Sequence, residues 1–139
     1  MPSFGLQHVT QAIISSFREE EFEVSLEKLQ SIFPDATIVA ALDLVDRGNV
    51  IKYTTAWGRC HYEVLGSTAT YTVFPSLFPS TSVSSYCTCP AFAFSVLMAE
   101  SHLMCKHVLA SCLAEQLSRC VERPISDEEL VAKMAGNVY

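Results

Sequence analysis

Apolar residues in the first third of the chain recur at the three- and four-residue spacing that places side chains on one face of a helix. Leu6, Val9, Ile13 and Phe17 make one such stripe, and Phe22, Leu26, Leu29 and Phe33 a second. Glu19, Glu20, Glu21 and Glu23 fall between the stripes or at the start of the second, where carboxylates favour a helix N-terminus. They read as a solvated turn rather than a metal site. Pro34 stops the second segment and Asp35 is placed to cap a third. Ile38, Ala41, Leu42 and Val45 line one face of that helix until Gly48 and Asn49 end it.

The period then shortens. Residues 50–55 and 60–65 are rich in β-branched and aromatic types and are joined by a turn near Trp57 and Gly58. Residues 71–74 supply a third strand after the Gly66–Ser67 turn, which together predict an antiparallel meander. Residues 75–85, rich in Ser, Thr and Pro, read as a loop leading to a short extended piece at 84–87. Helical character returns after Pro90, a residue suited to a first helical position, over 91–98, with a break near 100–102. A longer helix is predicted over about 104–121, striped by Val108, Leu109, Cys112, Leu113, Leu117, Cys120 and Val121. Pro124 ends it, and Ser126 with Glu129 forms a capping box for a short last helix carrying Leu130, Val131 and Met134.

Composition sharpens this picture in two ways. The chain of 139 residues is 50% hydrophobic but only 17% charged, against about 25% in a typical soluble domain. So few charges on so small a domain fit two readings equally: an apolar patch that meets a partner protein, or a sparsely charged monomer with a Ser/Thr-rich surface. The net charge is −6, with nine Lys and Arg against fifteen acids and no basic cluster. Strong autonomous binding to DNA or RNA rests on phosphate neutralisation, so this balance argues against it. No secretory or lipidation signal is visible. The most apolar stretch, residues 91–99, is too short to span a bilayer, so no membrane role is expected. Six cysteines without an export signal imply a reducing compartment, where metal binding is favoured over disulfides.

The chemistry lies in Cys87-x-Cys89, fifteen intervening residues, then Cys105-x-His107. In an extended segment side chains alternate, so Cys87 and Cys89 point the same way and can pinch one ion. Within a regular helix, positions i and i+2 lie about 200° apart and could not do so. At a helix entrance they can: Cys105 occupies the non-helical cap and His107 the first turn, where the partial positive charge favours thiolate. The predicted site is a closed Cys3His tetrahedron for Zn2+, with Zn–S distances of about 2.3 Å and no position open for a catalytic water. Cys112 and Cys120, on the long helix stripe, read as small buried hydrophobes. Cys60 and His61 adjoin, but a strand sends them to opposite faces. His8 and His102 read as surface or loop residues.

The fold class expected is therefore α+β: N-terminal helices, a small antiparallel β-meander and C-terminal helices organised around one Cys3His zinc site. A single domain over 1–139 is expected. Its helical part spans 1–48, its zinc-binding part 49–121, and its C-terminal helix and tail 122–139.

Cys89-Pro90-Ala91-Phe92 and Cys105-Lys106-His107, set within the C-x-C and C-x-H pairs, resemble the SWIM-type zinc finger. Ala41-Leu42-Asp43-Leu44-Val45-Asp46-Arg47, Tyr62-Glu63-Val64-Leu65-Gly66-Ser67 and the stretch 89–97 are similar to the small SWIM subunits of Shu-type complexes. The likeness covers about 41–113. It implies a nuclear role in homologous recombination and DNA repair, notably in meiosis. The implied partner is a small RecA-fold ATPase, with which such subunits support recombinase filaments on single-stranded DNA.

Three function classes follow. The first is a non-enzymatic, zinc-organised adaptor that reaches DNA through its complex. The second is a direct nucleic-acid-binding zinc module, in which Lys52, Arg59 and Lys106 form a patch and Tyr53, Trp57 or Tyr62 stack on bases. The third, a thiol enzyme, conflicts with a thiolate set saturated by metal and with the lack of an Asp or His relay.

Overall fold

Three helices form from the N-terminal stripes, in a computed structural model that describes residues 4–74, 86–90, 92 and 104–136. They are α1 (Phe4–Ser15), α2 (Phe22–Gln30) and α3 (Asp35–Asp46). The acidic run forms an exposed 3-10 turn, Glu19–Glu21, between the first two. Its start is tied to α2, where the Arg18 N–H donates to the buried Ser25 hydroxyl at 3.1 Å. The first stripe is rotated from the sequence expectation. Val9 is 50% exposed, while Thr10, Ile14 and Phe17 are buried. Phe17 lies beyond the helix end and still reaches the core, because packing and not periodicity places a residue in a turn. The second stripe holds at Leu29 and Phe33, while Phe22 is largely exposed with its ring edge-on to Phe17. Asp35 is the first residue of α3 and not its cap; Pro34, with ψ 145, occupies that position.

At the end of α3 the backbone closes as foreseen. Gly48 adopts φ +69, its N–H donates to Val45 O, and the Asn49 N–H donates to Leu44 O. These two bonds satisfy carbonyls that the helix end would otherwise leave without partners.

The sheet has five strands among the described residues: β1 (Val50–Thr54), β2 (Cys60–Leu65), β3 (Thr70–Phe74), β4 (Tyr86–Cys87) and β5 (Val121–Pro124). Their order is β4-β3-β2-β1-β5. The first four pair antiparallel, as the meander predicts, and β5 adds to β1 in parallel, so the sheet is mixed. The long helix predicted over 104–121 is shorter, α4 (Lys106–Gln116), and residues 121–124 are strand instead. Ser118 breaks the helix at φ +56, its N–H donates to Glu115 O, and the Arg119 N–H donates to Ala114 O at 2.8 Å. The closure copies the Gly48 motif without a glycine. Cys120 consequently lies outside the helix rather than on its stripe. The last helix, α5 (Asp127–Gly136), begins with the capping box foreseen: the Glu129 N–H donates to Ser126 Oγ at 3.1 Å, and Ser126 Oγ donates to Glu129 Oε1 at 3.0 Å. The loop expected over 75–85 and His102 fall outside the described residues, as does the helix expected over 91–98 except for Phe92.

α4 sits against α3 on one side and the sheet on the other. Ala110 and Ala114 of α4 and Ala41 of α3 are fully buried, and their small side chains let the helices approach. Leu109 and Leu113 are also fully buried, each contributing about 1.5–3 kcal/mol by leaving water. With Val50, Val64 and Val73 from the sheet, Leu29, Ile38 and Val45 from the helices or their ends, and Phe17 from the turn after α1, they make one core. α4 is thereby fixed between two layers, and its N-terminus is carried to β4.

Candidate metal centre

Backbone pairing keeps the chain extended through Cys87 and Thr88, and Cys89 follows at a bend. Cys87 lies opposite Val73, and one residue on the Thr88 N–H donates to Thr72 O at 3.1 Å. The Thr72 N–H returns a bond to Thr88 Oγ1 at 3.0 Å. Cys87 points from the sheet face it shares with Val73, and the bend brings the Cys89 thiol beside it. At the other side of the cluster, Cys105 is the N-cap of α4 in an extended conformation (φ −80, ψ 170), and His107 is the second helical residue. The cap position removes the 200° separation that would part them inside a helix. Lys106, between them, is exposed.

All four side chains are buried, and their donor atoms lie within 4.8 Å of one another. Cys105 Sγ is 4.0 Å from His107 Nδ1. The Phe92 N–H donates to Cys89 Sγ at 3.3 Å, and its ring is sealed in the core. A backbone donor to sulfur favours thiolate, and Cys89 itself is only 2% exposed to water. Ser111 Oγ, one turn along α4, donates to the His107 carbonyl at 2.9 Å.

The electrostatics of the thiols ask for a cation. Hydrogen bonds from Cys105 and then Cys87 hold the Cys89 thiol far below its ordinary range. Cys87 is pushed far above it, by its bonds to Cys105 and Cys89 and by burial. For Cys105, the bond with Cys87 pulls down, but the bond with Cys89 and burial outweigh it and raise the thiol to about 11. Each buried thiolate raises the cost of ionising its neighbours, and a positive ion held among the three sulfurs relieves that cost. A tetrahedral ion with bonds of about 2.0–2.3 Å needs its donors roughly 3.3–3.8 Å apart. A cluster already within 4.8 Å meets this by small side-chain adjustments. Three sulfurs and one imidazole match the soft, closed donor set of Zn2+.

A sequence model of the SWIM zinc finger matches residues 71–116, the span that holds all four donors. Zinc finger SWIM domain-containing protein 7 of Homo sapiens is 37% identical over 127 residues, covering 90% of this chain and 83% of that protein. The chain belongs to this family. The Mus musculus protein of the same name is 42% identical over 106 residues, 76% of this chain and 64% of its own length. The Danio rerio protein is 40% identical over 91 residues, 65% of this chain and 60% of its own length. The matched region thus covers less than two-thirds of the mouse and zebrafish proteins. No solved structure matches. The SWIM zinc finger and the Cys3His cluster are consistent with Zn2+ as the cofactor.

The three cations weighed for nucleic acid are not gathered in the same way. Lys52 reaches across the sheet face to Glu115, Nζ to Oε1 at 2.9 Å, with its side chain only 17% exposed. Glu115 lies near the last turn of α4, whereas Lys106 begins that helix, about 13 Å away along its axis. Arg59 is exposed in the turn between β1 and β2. Cys60 and His61 do face opposite ways. Cys60 Sγ is 3.6 Å from Thr54 Oγ1, while His61 stacks on Tyr53 at 5.3 Å between centroids. Burial, then Lys133, lowers the His61 pKa. His8 is exposed on α1.

Sequence reasoning missed two arrangements. Glu115 is a hub, accepting bonds from Lys52 and from the Tyr62 hydroxyl at 3.1 Å. Tyr71 packs its ring on His107, with centroids 4.5 Å apart. The only advance signal for either was strand alternation, which places Lys52, Tyr62 and Tyr71 on the Val64 and Cys87 face.

Proposed function

We propose that this chain is a non-enzymatic adaptor subunit whose Cys87, Cys89, Cys105 and His107 hold one structural zinc. In this reading it pairs with a RecA-fold ATPase in a Shu-type complex. That pair acts in the nucleus to support recombinase filaments on single-stranded DNA during homologous recombination. The observation that carries the zinc reading is the convergence of four buried donors at the seam of β4 and α4. Bound zinc would neutralise the thiolates and cross-link strand to helix. With four protein donors, no position is left for a reacting water, which supports a binding role over a catalytic one. Two further thiols fit the same reading. Burial, then Glu115, raises Cys112 to about 11 and Cys120 to about 12, which disfavours their thiolates at neutral pH.

The adaptor reading is supported by apolar surface on the N-terminal helices. Val9, Phe22, Val24 and Val39 are 50%, 44%, 51% and 66% exposed on a chain with few charges. Covering such residues stabilises association by about 25 cal/mol per Å2 before the costs of binding. Phosphate contacts would not cover them, and Lys52 is already engaged by Glu115. Direct nucleic-acid binding is therefore the weaker alternative. The test is to express the chain alone and with its candidate ATPase partner and to compare solution mass. The expected result is self-association alone and a defined complex together, with Val39→Glu reducing complex formation while zinc content stays at one. A monodisperse monomer indifferent to the partner would overturn the adaptor reading. Tight, salt-sensitive binding of single-stranded DNA by the isolated chain would put the alternative in its place.

A further inference from the structure

Histidine ligands are ordinarily held in orientation by a hydrogen bond from the ring nitrogen that does not face the metal. Here, among the described residues, the hydrogen bonds of the His107 ring lie inside the cluster, to the Cys105 and Cys89 thiols. An aromatic face takes up the task. Tyr71 lies at 4.5 Å between centroids and 36° between planes, a tilted packing that restricts rotation of the imidazole about its side-chain bonds. The sheet explains how it comes to be there. Val73 pairs with Cys87, and Tyr71, two residues before Val73 on the same strand, points to the same face. Tyr71 thus rises from the face of the sheet that carries the Cys87 thiol. Its own footing is shaped by Gly66 in the β2–β3 turn. A Cβ there would come within 2.8 Å of Ala69 O and 3.1 Å of Tyr71 Cε2. The absent side chain leaves the space in which the tyrosine ring lies.

We infer that Tyr71 is a positioning residue of the metal centre: its ring sets the orientation in which the His107 imidazole meets the ion, and Gly66 makes room for that ring. The inference rests on the quartet as the zinc site. What is required of Tyr71 is the flat ring, not the hydroxyl. Tyr71→Phe should therefore bind zinc as the wild type does, and Tyr71→Leu should bind about 10–100-fold more weakly, the usual effect of removing an outer partner of a ligand.

The experiment is a double-mutant cycle on zinc affinity, measured by competition with a chelator, with the visible absorption of the Co2+-substituted protein as a second readout. In a His107→Ala background there is no imidazole to orient, so Tyr71→Leu should cost no further affinity. Its Co2+ bands should shift in the wild-type background and stay fixed in the His107→Ala one. Tyr71→Met, which replaces the flat ring with a flexible chain, should give a loss in the same direction and serves if Tyr71→Leu does not fold. Equal losses from Tyr71→Leu in both backgrounds would overturn the inference, since the ring would then act through the fold alone. So would equal losses from Tyr71→Phe and Tyr71→Leu. Unchanged affinity in His107→Ala would overturn the zinc reading itself, a separate failure.

Discussion

The two ends of α4 are fastened to the same sheet by opposite means. At the N-terminal end Cys105 and His107 join Cys87 and Cys89 in a buried cluster whose thiolates a cation would stabilise. At the C-terminal end Glu115 meets Lys52 and Tyr62, and the Gln116 amide donates to the Ser15 and Phe17 carbonyls at 2.7 and 3.3 Å. Charge is balanced there within the chain, and nothing further is needed. The first fastening is dry and conditional on metal. The second is partly wet and unconditional. A helix held this way should come loose from one end only when metal is withdrawn.

Metal removal gives the largest expected effect. Cys105→Ser, or chelation of the wild type, should cost about 4 kcal/mol or more, the range reserved for loss of a metal or a buried network. Hydrogen exchange should speed first at residues 86–89 and 105–109, while amides near Glu115 stay protected until global unfolding. Uniform loss of protection along α4 would erase the difference between its ends.

Glu115→Gln should weaken the other end by about 0.5–1 kcal/mol, small because the carboxylate side chain is 49% exposed and screened by water. Its pH dependence gives a sharper test. The Lys52 hydrogen bond, aided by Tyr62, holds the Glu115 carboxyl below its ordinary value against the opposing effect of burial. A depressed folded-state pKa adds stability that is present above the unfolded pKa and lost as pH falls through the folded one. The gap between wild type and Glu115→Gln should therefore close in acid. Reading the difference cancels metal release, which both share. A gap of constant size at every pH would show that the pair acts through packing rather than charge.

The smallest effect concerns where the helix stops. Ser118→Gly should stabilise by about 0.5 kcal/mol, because a left-handed residue with a Cβ is strained and glycine regains part of that energy at some cost in chain entropy. Thermal denaturation of the zinc-loaded protein reads it. A destabilised variant would mean that the serine side chain itself holds the closure.

The contrast between Gly48 and Ser118 shows what was legible. Both helix ends close by the same pair of backbone bonds, yet only the first carries the residue that announces it. After Ser118, Cys120 and Val121 continue the apolar spacing of α4, so periodicity alone ran the helix on into β5. Val9 and Thr10 show a related failure. The apolar residue is exposed and the polar one buried, because the helix is rotated to seat Ile14 and Phe17.

By itself the sequence determined the donor set, the period change at residue 50, the Gly48 closure and the Ser126 capping box. Each is written in neighbours a few residues apart, where backbone geometry alone dictates direction. Only the tertiary structure decided that residues 121–124 pair in parallel with β1, that Lys52 reaches Glu115, and that Tyr71 lies on His107. Those contacts join residues tens of positions apart, and no local spacing encodes them. They exist because α4 is pressed between α3 and the sheet, which fixes both of its ends in space at once.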